Sequence, residues 1–175
     1  MISVILKNIV RFIFFIFLQV LILNNIQFSG FVNPFLYVFV ILMLPFATPV
    51  WLVMLVSFVA GVLIDMFQDT MGMHAAACVL MGYSRSFILK LFSPRDGYDS
   101  STEPTLHYLG ASWYLSYSLL LVLIHHFTFF FIEAYSADET LYTLARMLFS
   151  VIFTMVLVFI SQMFIYKPKE LRKSK

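Results

Sequence analysis

Charge is scarce in this sequence. No Asp, Glu, Lys or Arg occurs between Phe12 and Ile64, and 11% of the 175 residues are charged against 62% hydrophobic. Soluble domains carry about a quarter charged residues and about half apolar ones. With a mean hydropathy of +0.94, the chain falls in the membrane class. Cysteine is nearly absent: Cys78 is the only one, so no intrachain disulfide can form. Within an apolar run it reads as a small filler. Catalytic signatures are lacking too. There is no Gly-x-Ser-x-Gly, no His-Glu-x-x-His, no phosphate-cradling glycine loop and no internal repeat. Isolated hydroxyls and carboxylates make no catalytic constellation without convergent geometry. No enzymatic activity, cofactor, metal site or nucleic-acid partner is expected.

The uncharged stretch is far too long for one helical crossing of a roughly 30 Å hydrocarbon layer, so the chain must turn back within it. Aromatics reach 18%, mostly phenylalanine. Phenylalanine supplies lipid-facing bulk, and tyrosine and tryptophan anchor at the interface. The expected fold is an all-α, polytopic membrane helix bundle of about six transmembrane helices. The spans fall near Val10–Gln27, Pro34–Pro45, Trp51–Phe67, Gly72–Leu91, Gly110–Ile132 and Ala145–Tyr166. The first follows Lys7 and Arg11 and could pass for a signal peptide. Its length and the lack of a small-x-small site make it a retained span. The second is short and bounded by Pro34, Pro45 and Pro49, so it is expected to be kinked or half-inserted, or the bilayer to thin around it. Five spans with one re-entrant piece is the alternative. Residues 1–166 form a single integral membrane domain, and residues 167–175 a basic tail expected near anionic lipid headgroups.

Lys and Arg set the orientation. With the N-terminus inside, Lys7, Arg11, Lys90, Arg95 and the tail residues Lys167, Lys169, Arg172, Lys173 and Lys175 collect on the cytoplasmic side. The outer side holds Arg146 as its one Lys or Arg, beside Asp65, Asp69, Glu133, Asp138 and Glu139. N-in/C-in is therefore expected. The loop Ser93–Tyr108 is polar and reads as solvated.

The polar residues inside the spans carry the functional question. Ser57, Gly61, Asp65 and Asp69 recur every four residues, along one helix face. Small residues at that spacing let membrane helices approach closely. Asp65 sits at a span end, where a carboxylate still needs water, a donor or a partner. It is a fold-fixing hydrogen-bond hub, a ligand or partner contact, or part of a polar path. Asp69 and Thr70 precede the next helical run and are good N-cap types. On that helix Ala75, Cys78, Gly82 and Ser86 form a small-residue face, and Arg85 and Lys90 are placed to snorkel. His125 and His126 lie in a later span, with Glu133 two turns beyond His126. No His-x-x-x-His spacing supports a zinc site, so satisfied intramembrane histidines are expected. His74, His125, His126 and Glu133, with Asp65 and Asp69, all map to the outer half. They are expected to line one polar, outward-facing depression.

Gly61-x-x-x-Asp65 followed by Gly72-x-x-Ala75 resembles the signature of the MreD family of rod-shape-determining membrane proteins. Three stretches resemble its Bacteroidetes-type version: QVLILNNIQFSGFVNPFLYVFVILMLP, GVLIDMFQDTMGMHAAACVLMGYSRSFILKLFSPRDGY and IHHFTFFFIE. Together they span most of Gln19–Glu133. The resemblance implies a bacterial inner-membrane, non-enzymatic scaffold of the cell-elongation machinery, needed for rod shape and regulated peptidoglycan synthesis. It implies MreC as direct partner, and MreB, RodA and its penicillin-binding transpeptidase as indirect ones. It also implies a fold similar to the substrate-binding subunits of energy-coupling-factor vitamin transporters, which supply the rival function. Those subunits commonly dock through Ala-x-x-x-Ala-type residues on the first span. RFIFFIFLQVLILNNIQ has no Ala or Gly.

Overall fold

A computed structural model describes residues 2–26, 31–99, 102–134 and 140–165. Gln27, Asp138, Glu139, Tyr166 and the basic tail lie outside the described residues. The elements are α1 (Ile2–Leu21), α2 (Phe39–Leu42), α3 (Val50–Gln68), α4 (Met73–Leu91), α5 (Leu106–Leu109), α6 (Ala111–Glu133) and α7 (Thr140–Ile165). Short 3-10 turns at Leu23–Asn25 and Leu36–Val38 follow α1 and lead into α2. The architecture is all-helical. Among the described residues, four helical stretches are long and apolar enough to cross a membrane: Val4–Asn25, Val50–Gln68, Ala111–Glu133 and Thr140–Phe164. Their outward faces carry Ile13, Phe17, Trp51, Leu55, Phe58, Ile152 and Phe164, all exposed. Apolar surface on this scale fits lipid rather than water.

α4 is not among those four. It packs on protein, against α3 on one side and α6 on the other. It therefore buries His74, Ala75, Cys78, Gly82 and Arg85 instead of presenting large aliphatics all round.

The region expected as a short, kinked or half-inserted second span is shorter still. Its helical part runs only from Leu36 to Leu42, which reaches roughly 12 Å. Yet every residue from Phe35 to Leu44 is at most 6% exposed. Such a short element inside a bundle leaves backbone groups unpaired at both ends, and side chains from other helices take them up. At its start, Gln19 of α1 donates to the Pro34 carbonyl at 2.9 Å and accepts from the Tyr37 N–H. Ser150 and Thr154 of α7 accept from the N–H groups of Asn33 and Phe35. At its end, Arg11 donates to the Met43 carbonyl at 3.1 Å, Arg85 donates to the Leu44 carbonyl, and Tyr117 to that of Leu42. A broken helix survives at depth when protein satisfies its backbone in this way. Two guanidiniums also complement the negative end of its dipole. Arg85 is thus 2% exposed and turned inward, where snorkelling was expected.

These contacts fix the direction of the elements. Gln19 meets Pro34 while Arg11 meets Met43, so this segment runs antiparallel to α1. Asp65 meets Ala75 while Ser57 lies against Gly82, so α3 and α4 are antiparallel. Trp113 bonds the Phe92 carbonyl, which turns the chain back into α6. Glu133 meets Arg146 while His126 meets Thr154, which turns it again into α7. One end of the bundle gathers Gln19, Asp65, Glu133 and Arg146, and the other Lys7, Arg11, Arg85 and Glu103.

The described residues of the Ser93–Tyr108 loop are packed in part rather than merely solvated. Tyr98 stacks on Phe46 at 4.3 Å and donates to the Leu89 carbonyl. Phe46 N–H donates to the Thr102 carbonyl. Glu103 accepts from both Lys7 and Arg11 at 2.8 Å. Burial raises the Glu103 carboxyl, but these bonds and charges outweigh it and hold it below its ordinary value.

Candidate functional site

The turn between α3 and α4 is built around one carboxylate. Asp65 Oδ1 accepts from the His74 N–H at 3.0 Å and from the Thr70 hydroxyl at 2.5 Å. Oδ2 accepts from the Ala75 N–H at 2.9 Å. His74 and Ala75 stand in the first turn of α4, whose N-cap Gly72 offers no side chain. Asp65 therefore caps α4 from the helix before it. It satisfies orphan donors and places negative charge at the positive end of the dipole. The expected cap is corrected here. Asp69 is exposed and forms the left-handed C-cap of α3 at φ 53°, and Thr70 donates to Asp65 rather than capping α4. The turn also needs Gly72 at φ 92°, where an added Cβ would meet nothing within 4 Å. The requirement there is conformational, not steric.

Gly61 makes the geometry possible. A Cβ on it would collide with the Ala75 backbone and lie 2.7 Å from the His74 carbonyl carbon. Two turns further along α4, a Cβ on Gly82 would lie 2.5 Å from Ser57 Oγ. The small-residue stripes of α3 and α4 thus pack on each other, inside the chain.

The histidines form a second cluster, and they do not line an open depression. His74, His125 and His126 are each 0% exposed. Tyr37, on the buried broken segment, bridges two of them, 2.8 Å from His74 Nδ1 and 2.7 Å from His125 Nε2. Bond directions follow from the neighbours. Gln68 Oε1 faces His74 Nε2 at 2.8 Å, so Nε2 donates and Nδ1 accepts from the Tyr37 hydroxyl. Tyr37 Oη then accepts from His125 Nε2 and from the Cys78 thiol at 3.4 Å. His126 Nδ1 donates to the Val122 carbonyl, leaving Nε2 to accept from Thr154 at 3.1 Å. The His74 and His126 rings each use one donor and one acceptor, the pattern of neutral imidazole. Phe35 packs edge-on against His74 at 4.9 Å and against Phe129 at 4.8 Å. One atom is left over: His125 Nδ1 has no partner among the described residues.

Of the four cluster candidates, Glu133 alone lines the cleft at this end, a space of about 480 Å³ shared with Gln19, Asn24, Asn33, Gln68 and Thr70. Glu133 pairs with Arg146 at 3.2 Å, and Arg146 also lies over the Phe130 ring at 5.1 Å. Among the described residues no three of His, Cys, Asp and Glu converge as a metal-binding group. Sequence reasoning missed Gln19, Tyr37, Gln68 and Thr154. Their signal was present, because a lone polar side chain in an apolar run must find a partner.

No family model matches the chain, and no curated protein or solved structure matches it either.

Proposed function

We propose that the chain is a non-enzymatic scaffold of the bacterial inner membrane. It belongs to the cell-elongation complex, supports rod shape and regulated peptidoglycan synthesis, and acts by binding MreC. One observation carries this reading: the residues behind the MreD resemblance form a single mechanical device. Gly61 admits the α4 backbone, Asp65 clamps it through His74 and Ala75, and Gly72 makes the turn. The carboxylate is spent on helix capping, as suits a rigid shape that presents surfaces to partners. MreB, RodA and its penicillin-binding transpeptidase are contacted indirectly.

In this reading the chain crosses the membrane six times, with the broken segment as the second pass, N-in/C-in. Lys7, Arg11, Arg85, Lys90 and Arg95 then face the cytoplasmic half, and Asp65, Asp69 and Glu133 the outer half. Depletion in the native host tests the function. Widening cells with dispersed peptidoglycan insertion are expected, and unchanged width and insertion would contradict it.

A second reading draws on the outer cleft. Its volume of about 480 Å³ and its amide-rich lining fall in the range of small-molecule sites, which favours a substrate-binding subunit of an energy-coupling-factor vitamin transporter. The first helix weighs against it. α1 has no Ala or Gly and exposes Ile9, Ile13 and Phe17, so no small-residue docking face is present there.

A further inference from the structure

We propose that the cleft at the Arg85 end binds a phosphate-bearing anion, either the headgroup of an anionic lipid or free phosphate. The cleft lies between the start of α3 and the end of α4, holds about 320 Å³, and is lined by Thr48, Val53, Gly82, Arg85, Ser86 and Lys90 among others. Its chemistry centres on Arg85. That guanidinium is 2% exposed and makes no ion pair among the described residues. Its Nε donates to the Tyr117 hydroxyl at 2.9 Å, and its Nη2 to the Leu44 and Pro45 carbonyls. Its Nη1 has no partner among the described residues, and Arg85 is part of the cleft lining.

A buried cation without a counter-anion is costly, and carbonyl dipoles offset only part of that. Arginine matches phosphate geometry through parallel N–H donors. Other donors converge on the same space. Lys90 and Ser86 line it, and the Lys90 ammonium makes no hydrogen bond or ion pair among the described residues. Val50 and Trp51 begin α3 after Pro49, without a side-chain cap, so the positive end of that helix dipole faces the cleft mouth at Val50. Beside Gly82 lies Ser57 Oγ, fully buried and without a partner among the described residues. Several acceptors near the cleft are already engaged, and Asp96 and Asp99, exposed on the adjoining loop, are not in its lining. The Leu89, Lys90 and Phe92 carbonyls at the end of α4 accept from Tyr98, Ser93 and Trp113, and Glu103 is held by Lys7 and Arg11.

The test uses the full chain in phosphatidylcholine nanodiscs. Two probes are added at fixed ionic strength, phosphatidylglycerol in the disc and inorganic phosphate in the buffer, and binding is read by native mass spectrometry and thermal midpoint. Arg85→Gln removes the central donor but also uncaps the broken segment, so Lys90→Glu carries the test. Arg95→Glu is the control, exposed on the neighbouring loop but outside the lining. Lys90→Glu is expected to weaken binding on the order of tenfold or more, the equivalent of one charged hydrogen bond, with Arg95→Glu within about twofold of wild type. A response to phosphatidylglycerol alone assigns the site to a lipid headgroup, and a response to inorganic phosphate assigns it to the free ion. The proposal is overturned if neither probe separates wild type from Lys90→Glu. It is equally overturned if Arg95→Glu loses as much, because the attraction is then only that of a basic surface.

Discussion

Removing the Asp65 carboxylate is the sharpest perturbation the structure offers. Asp65→Ala strips the acceptor from two buried N–H groups, those of His74 and Ala75. It also strips one from the Thr70 hydroxyl, which can turn elsewhere. Hydrogen bonds to a charged group contribute about 1.5–3 kcal/mol each, so two set a ceiling of about 6 kcal/mol. Losing an ordinary N-cap, where water takes over, costs about 0.5–2 kcal/mol and sets the floor. Gly61 packs directly on the Ala75 backbone, but Asp65 also borders a surface hollow with Met66, Asp69 and Gly72, so water replaces the carboxylate only in part. We therefore expect a loss of about 3 kcal/mol, large against total stabilities of about 5–15 kcal/mol. Asp65→Asn keeps one acceptor oxygen and loses the charge, and should fall between. Asp69→Ala, at an exposed αL position, should stay within about 0.5 kcal/mol. Unfolding in mixed micelles and the monodisperse fraction after detergent extraction would read all three. A wild-type midpoint and yield for Asp65→Ala would refute the capping argument, as would an Asp69→Ala loss of equal size.

Gly61→Ala should destabilise by about 1–3 kcal/mol through overpacking, with no second-site rescue, because its Cβ meets backbone. Gly82→Ala meets the Ser57 hydroxyl, so adding Ser57→Ala should recover stability in a double-mutant cycle; additive losses would contradict this. Tyr37→Phe should cost about 1–3 kcal/mol for each histidine nitrogen it strands, and an unchanged unfolding midpoint would refute the bridging role. Glu103 is held below its ordinary value of 4.5. Its contribution is therefore fully present above that value and is lost as pH falls through the lower folded-state value. Wild type should lose stability across that acid window, while Glu103→Gln, measured by the same unfolding, should lack that component.

The clamp was readable from sequence because its parts obey helical spacing. Gly61 and Asp65 are one turn apart, and the glycine and alanine that answer them follow within a single turn of chain. The shortness of the second element was readable too, since prolines bracket it. Other features depend on partners that no local rule names. The cap was assigned to Asp69 and Thr70 because capping rules favour the adjacent residue. The left-handed residues Asp69, Met71 and Gly72 instead swing the start of α4 back onto Asp65. Arg85 was read as snorkelling because nothing near it signals acceptors, and its acceptors come from Leu44 and Pro45, about forty residues earlier. The histidines were placed in an open depression from their depth alone. Tyr37 and Gln68 draw the His74–His125 pair inward, and Thr154 does the same for His126.

Chemical crosslinking in native membranes, followed by affinity capture of the tagged chain and mass spectrometry of what comes with it, tests the scaffold most directly. Recovery of MreC together with the wall-elongation synthase is the expected result. Recovery of an ATPase pair with a coupling membrane subunit, and no MreC, would contradict it and make the outer cleft a transport site.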